Sequence, residues 1–324
     1  MHKSWIFKEK GDAGGWVEHS ENDLPNEPVL IDVVHSAINY KDALSITRAA
    51  PISRKFPMVP GVDIVGVVKE DMSGTFKAGD RVVATGFGLG EVHWGGYTTA
   101  ARLKPEWLVK LPHGISNRDA AAAGTAGLTA AMCIEALENY GLPLESGEIV
   151  VSGATGGVGS FALRLLDTAG YHAVAMTGRP EEKAYLLAQG AKDIVARSEF
   201  DQDVRPLAKE RWAAGIDVAG GKILANILST TRYGGSIAAC GLAASMELPA
   251  SVAPFILRGV NLLGVDSVLA SREKREKAWK RIEAAIAIHP LDDMVYQHKF
   301  EDVTQLAEDL LASKSKGRIV LGWH

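Results

Sequence analysis

Cysteine is almost absent from this chain: Cys133 and Cys240 are the two thiols in 324 residues. That scarcity excludes a cysteine-rich structural zinc lobe and a disulfide scaffold, and points to a reducing compartment. An excess of basic charge is absent too. The net charge is −4, so bulk attraction to nucleic acid or to an anionic membrane is not expected. The opening MHKSWIFKEKGD has no apolar signal core, and the least polar long stretch, Ala120 to Ile134, reads as too short for a membrane span. Long internal repeats and low-complexity tracts are missing as well. Together these absences predict a cytoplasmic protein whose partner is a small molecule rather than nucleic acid or membrane.

What is present is ordinary for a globular protein: 47% hydrophobic and 23% charged residues, with length enough for two domains. The N-terminal third carries short strand candidates at 29–39, 62–70, 80–86 and 97–103, punctuated by Pro, Gly and Asp. That pattern predicts a compact, mostly antiparallel, barrel-like domain. From about residue 120 helices and strands alternate. The alternation predicts an α/β region with a doubly wound parallel sheet. Residues 294–324 read as strand, helix and strand, and could rejoin the first domain.

The most informative stretch is IVVSGATGGVGS, residues 149–160. Ile149 to Val151 suit a buried parallel strand, and Phe161, Leu163, Leu165 and Leu166 continue at helical spacing. Gly153 to Gly159 are therefore expected in the turn between strand and helix. Ala154-x-Gly156-x-x-Gly159 is the dinucleotide fingerprint with alanine in its first slot. Backbone at Thr155, Gly156, Gly157 and Val158 is expected to cradle a pyrophosphate at the helix start.

The cofactor's identity is read one strand later. An NAD-selective site usually carries Asp or Glu at the end of the second strand, where it binds the ribose 2′-hydroxyl. Here the position holds Thr177-Gly178-Arg179, with Lys183 one helical turn on. No carboxylate repels a 2′-phosphate, and a hydroxyl and a guanidinium can bind one. NADPH is the expected cofactor.

AINYKDALSIT (37–47), FPMVPGVDIVG (56–66), HWGGY (93–97), GTAGLTAAM (124–132), SGATGGVGS (152–160), YGGSIAACGL (233–242) and PFILRGVNLLGVDSV (254–268) together resemble the medium-chain dehydrogenase/reductases. The resemblance is to the quinone oxidoreductase-like branch that holds NADPH-dependent acryloyl-CoA reductases, and it covers nearly the whole chain. It implies a GroES-like, mostly-β catalytic domain at 1–121 and 268–324, and a Rossmann domain at 122–267, with the active site in the cleft between them. It also implies a homodimer. Val260, Leu262, Leu263 and Val265 support that, as an apolar edge strand is a hazard unless covered.

The zinc-dependent relatives of this superfamily carry three metal ligands where this chain has Asn39, Val62 and Thr125. Valine offers no donor, and Asn and Thr are not usual zinc ligands, so no metal is expected. Reduction of an activated C=C bond fits a site that stabilises charge by hydrogen bonds alone. The leading expectation is acryloyl-CoA to propanoyl-CoA. Quinone or alkenal/enone reduction is the alternative, and a non-catalytic dinucleotide-binding protein is a third reading.

The resemblance points to Tyr40 as the group at the nicotinamide and substrate, either as a hydrogen-bond donor or as packing only. Asn39 is a second catalytic candidate, for the nicotinamide ribose or the substrate carbonyl. Lys41 and Asp42 read as a surface pair. Thr125, Thr129, Val218, Gly241, Leu242, Leu262 and Arg318 are expected around the cofactor, with an exposed terminal charge as the plainer reading of Arg318. His93 and Cys240 read as structural. For a CoA thioester, Arg48, Arg54 and Lys55 are candidate phosphate partners, and Arg258 is another; each could equally be a solvated loop charge.

Overall fold

The computed structural model describes residues 1–323. In chain order, the first segment contains β1 (His2–Ile6), β2 (Gly15–His19), β3 (Val29–Ile38), α1 (Tyr40–Ile46), β4 (Asp63–Asp71), β5 (Arg81–Thr85), β6 (Ala100–Leu103) and β7 (Leu108–Lys110). α2 (Asn117–Asn139) leads to β8 (Glu148–Val151), α3 (Gly157–Thr168), β9 (His172–Thr177), α4 (Lys183–Ala188), β10 (Asp193–Ala196), β11 (Trp212–Asp217), α5 (Gly221–Thr230), β12 (Thr231–Ala239), α6 (Ala253–Arg258) and β13 (Asn261–Gly264). The chain closes with α7 (Arg272–Ile288), β14 (Val295–Lys299), α8 (Val303–Leu311) and β15 (Arg318–Gly322).

Two compact units result. The first comprises Met1–Ala126, Ser267–Glu283 and Met294–His324, and the second Gly127–Asp266 with Ala284–Asp293. The last segment differs from the expectation that everything after 267 stays with the first domain. Arg164, on α3, contributes to this. Its guanidinium donates to the Pro290 carbonyl at 2.5 Å and to both Asp293 oxygens at 2.7 and 2.8 Å, tying 284–293 to the nucleotide-type sheet.

In the first unit the main sheet runs β14-β15-β3-β4-β5-β7, with β6 also paired to β3. Every ladder is antiparallel except β14 with β15. Alternation along β3 sends Val29, Ile31 and Val33 into one core with Ile64, Val68, Val82 and Leu108. A second core gathers Trp5, Phe7, Ile46, Tyr97, Phe300 and Leu321.

The second unit holds a six-stranded sheet of order β10-β9-β8-β11-β12-β13, all parallel. This is the doubly wound order in which the first two βαβ connections run one way from β8 and the rest run the other. β11 starts at Trp212 and β12 at Thr231. Tyr233-Gly234-Gly235 lies within β12, between Thr231 and Ser236, where its pairing with β11 shifts register.

α2 is longer than its apolar stretch suggested. At 23 residues it is long and apolar enough to cross a membrane by length and composition, yet its most apolar window is 83% buried. It is also broken. Gly124 sits at φ 41°, ψ −141°, so the helix restarts at Thr125.

Candidate functional site

Two polar constellations stand out, one in each unit. In the second unit the turn after β8 is Ser152–Gly156, shorter than the expected 153–159, because α3 already begins at Gly157. Gly157 and Gly159 take helical conformation and form the first turn with Val158. At Gly159 a Cβ would lie 2.4 Å from the Gly153 carbonyl oxygen, so only glycine lets the helix seat on the strand. The start of this 12-residue helix leaves backbone N–H groups free for an anion.

The end of β9 meets that turn. Arg179 donates through its guanidinium to the Thr155 hydroxyl, and its backbone N–H donates to Thr177 Oγ1 at 2.9 Å. Thr155, Thr177, Gly178 and Arg179 are therefore brought together. Sequence reading missed Arg197, in the short 3-10 turn after β10. Its Cζ lies 3.0 Å from where a Gly178 Cβ would be, which adds a second guanidinium beside the same strand end. The signal was an arginine directly following the third strand. A groove of about 490 Å³ runs alongside, lined by Thr177, Pro180, Lys183 and Lys192 among others.

Val218 and Gly241 join this edge. A Cβ on Gly153 would come 2.4 Å from Val218 Cγ2, and one on Gly241 would come 2.4 Å from the Val218 carbonyl oxygen. Buried Asp217 holds the edge together. It accepts from Ser152 Oγ at 2.6 Å and from the Gly220 N–H at 2.7 Å, and burial pushes its carboxyl up. Leu242 follows, exposed. Leu262 is half-buried on β13, and Thr129 is buried in the second half of α2.

In the first unit, the centre of the constellation is a residue that sequence reading passed over. Asp63 opens β4 and is fully buried. Its Oδ1 accepts from the Thr125 N–H at 2.9 Å and the Thr125 hydroxyl at 2.6 Å; its Oδ2 accepts from Asn39 Nδ2 at 2.8 Å. The kink in α2 makes this possible. A Cβ on Gly124 would stand 2.4 Å from Asp63 Oδ2, and the helix restarting at Thr125 points its N-terminus at the carboxylate.

Arg318, the first residue of β15, is buried rather than an exposed terminal charge. It donates to the Ala122 carbonyl at 2.6 Å and to Asn39 Oδ1 at 3.0 Å, with Nη2 3.6 Å from Asp63. Both ends of the Asn39 amide are thus engaged within the network. Asp42 is not half of a surface pair: it is buried, accepting from the Asn39 and Val62 N–H groups at 2.9 and 3.0 Å. Lys41 pairs with Glu91 instead. Burial, with Asp63 nearby, pushes Asp42 up to about 7. Burial raises Asp63 as well, against the pull of Arg318. Tyr97 lies against both carboxyls, and burial first of all drives its phenol well up. Tyr40, next to Asn39 and first in α1, remains 48% exposed.

The remaining candidates scatter. Arg48 and Lys55 are exposed, and Arg54 pairs with Glu91 at 3.0 Å. Arg258 is committed elsewhere: it donates to the Ser229, Thr231 and Ala208 carbonyls and pairs with Glu210, so it anchors a loop. His93 is held by the Trp94 carbonyl and packs edge-on against Trp107.

One GroES-like antiparallel unit and one doubly wound nucleotide-type unit in a single chain make the organisation of a two-domain dehydrogenase. Residues 25–113 match the alcohol dehydrogenase GroES-like domain, and residues 157–284 match the zinc-binding dehydrogenase domain. The chain is 45% identical over 303 residues to acrylyl-CoA reductase AcuI of Ruegeria pomeroyi, covering 93% of this chain and 92% of that one. The crystal structure of the yhdH oxidoreductase from Salmonella enterica in complex with NADP superposes with a TM-score of 0.96 at 42% identity, over 100% of both chains. That of Bacillus subtilis yhfP with NAD bound gives 0.95 at 37%, over 99% of both. The chain belongs to the medium-chain dehydrogenase/reductase family, in its quinone oxidoreductase-like, acrylyl-CoA reductase branch.

The residues present fit a phosphorylated dinucleotide: a turn with no room for a Cβ at Gly153 or Gly159, a helix start, and Arg179 and Arg197 at the end of the second strand. They do not fit the catalytic zinc that the domain's description suggests. Val62 has no donor atom, Asn39 and Thr125 both face Asp63, and the Arg318 guanidinium already stands beside that carboxylate.

Proposed function

We propose that this protein is a zinc-independent, NADPH-dependent oxidoreductase that reduces the C=C bond of acryloyl-CoA to give propanoyl-CoA. The observation that carries the reading is the Asn39–Asp63–Thr125–Arg318 network standing where zinc-dependent relatives hold their metal. Without a metal, the substrate carbonyl is activated by a hydrogen bond alone, and that suffices when hydride goes to an activated carbon rather than to the carbonyl itself.

When bound, NADPH supplies the hydride to the β-carbon of the thioester. A proton added at the α-carbon completes the propanoyl group, and the chain's own residues bind and orient the reacting partners. The Gly156–Val158 backbone and Arg179 hold the cofactor's phosphates. Tyr40, solvent-exposed at the start of α1, offers its hydroxyl to the thioester oxygen as charge collects there. Asn39 keeps that helix start in place through Asp42 and Asp63. Arg48 and Lys55, exposed on the loop after α1, are the cations for the phosphates of CoA. The protein works in the cytoplasm, in keeping with two cysteines that remain free thiols.

The working form is a homodimer. β13 is the outer strand of its sheet, and the neighbouring Met246, Val252, Ile256 and Leu257 are exposed apolar side chains.

The test is a panel of initial rates with NADPH and NADH against acryloyl-CoA, crotonoyl-CoA, free acrylate, 1,4-benzoquinone and an alkenal. Acryloyl-CoA with NADPH is expected to be fastest. Equal rates on acryloyl-CoA and free acrylate remove CoA recognition, and a preference for the quinone replaces the substrate class. Light scattering on the eluting peak should give twice the chain mass.

A further inference from the structure

The first residues of three neighbouring strands in the second unit form a mixed donor set. β8 starts at Glu148, β9 at His172 and β10 at Asp193. An imidazole nitrogen and one oxygen from each carboxylate lie within 4.8 Å of one another. We propose that Glu148, His172 and Asp193 bind one late first-row divalent cation, of the zinc class, which clamps the starts of these strands together.

Strand pairing builds the cluster. The three strands are adjacent and parallel, in the order β10-β9-β8. Glu148 is in register with His172, and Asp193 with Val174, two residues further along β9. Residues two apart on a strand share a face, and so do registered neighbours. All three donors therefore leave the sheet on one face, at the rim of strand starts. The phosphate turn follows the end of β8, and Thr177 closes β9, so the cofactor edge lies at the other end of the same strands. The cation site is separate from the dinucleotide site and shares no residue with the Asn39–Asp63–Thr125 network.

The donors are available, and one is braced. His172 and Asp193 are exposed, and neither side chain has a hydrogen-bond or ion-pair partner among the described residues. Lys192, next to Asp193, is engaged elsewhere, donating to Asp167 at 2.5 Å. Glu148 accepts from Arg211 Nε at 3.0 Å through Oε2, which leaves Oε1 for a metal. Arg211 is itself fixed: its guanidinium carbon stands 4.2 Å from the ring centroid of Trp212, which is fully buried. A ligating carboxylate held by a hydrogen bond from outside the coordination shell is the usual support of a metal site. Two carboxylates and an imidazole against one guanidinium also leave an excess of negative charge that a divalent cation offsets.

The donor types select the metal. One nitrogen and two oxygens, with no thiolate, suit zinc, cobalt(II) or nickel(II), whereas magnesium and calcium take oxygen shells. Donors bonded to zinc at about 2.0–2.2 Å stand roughly 3–3.5 Å apart, so the cluster must close by about an ångström. Rotation of the exposed His172 and Asp193 side chains supplies that closure, and water completes the shell. A cation bound there ties the outer strand β10 to β9 and β8, and stabilises the folded chain by mass action.

The test uses the full chain, freed of any affinity tag and stripped of metal with a chelator. Zinc chloride and magnesium chloride are titrated in separate calorimetry runs, and urea midpoints are read with and without zinc. The expected result is one zinc bound per chain, no response to magnesium, and a higher midpoint in zinc. His172→Ala and Asp193→Asn should each weaken zinc binding by about tenfold or more and remove the midpoint rise. Their metal-free midpoints should match the native one, because both side chains are exposed. If one variant fails to fold, the other decides alone. Absence of stoichiometric zinc binding, an equal response to magnesium, a midpoint that zinc does not raise, or unaltered binding in the variants each overturns the proposal.

Discussion

Nη2 of Arg318 stands 3.6 Å from Oδ2 of Asp63, and both side chains are buried. A buried cation and carboxylate of this kind are each costly alone, so the pair is far more sensitive to removal of one member than to exchange of both. Asp63→Ala leaves Arg318 without its counter-charge and strips the carboxylate from Asn39 and Thr125. The expected loss is about 3–5 kcal/mol of unfolding free energy, read from urea midpoints. A loss within about 0.5 kcal/mol, as at an ordinary surface site, would mean the pair does not hold this region together.

Asp42 makes that stability depend on pH. The carboxyl titrates at about 7 in the folded protein against 3.8 ordinarily. Between those values the folded chain keeps a proton that the unfolded chain has released. Unfolding therefore sheds a proton, and stability falls as pH rises from about 4 to about 7, with no further contribution above. Urea midpoints across pH 5 to 8 should decline for the native protein. Asp42→Asn should flatten the decline, and an unchanged slope would assign it to other groups.

How much of this was legible in sequence follows the distance over which each feature is decided. The β8–turn–α3 unit and the Thr177-Gly178-Arg179 end of β9 are local, and their residues meet as expected. Asp63 was invisible because VDIVGVV reads only as an apolar strand with one polar residue in its second position. Its meaning comes from β3 and β4 pairing antiparallel, from Gly124 breaking α2, and from β15 arriving beside β3 with Arg318. Asp42 was misread for the same reason: nothing local says that Val62 will donate to it. The α2 kink itself was hidden in AAAAGTAGL, where a glycine among alanines looks like helix packing.

Arg179 tests the cofactor preference. Its guanidinium is already oriented on Thr155, at the end of the second strand where a 2′-phosphate would sit. Arg179→Ala should raise the Kd for NADPH by about 10- to 100-fold, or about 1.4–2.8 kcal/mol, and leave NADH within about twofold. Equal weakening of both dinucleotides would show that Arg179 supports the turn rather than reads the phosphate. Arg197 sharpens the comparison: the double variant should lose more NADPH affinity than either single one, with a non-additive remainder, because the two guanidinium groups flank one Gly178.

Tyr40 separates chemistry from architecture. It begins α1 and is 48% exposed, so removing its hydroxyl should leave the unfolding midpoint unmoved. If that hydroxyl donates to the thioester oxygen as charge develops, Tyr40→Phe lowers kcat and kcat/KM together by about 10²-fold, with little change in KM, because the interaction is made in the transition state and not in the ground state. A rise in KM at constant kcat would make Tyr40 a binding surface only. Asn39→Asp offers the contrasting case. It places a third carboxyl beside Asp42 and Asp63 with one guanidinium among them, and removes the amide that donates to Asp63. Its loss of activity should therefore come with loss of stability, where that of Tyr40→Phe should not.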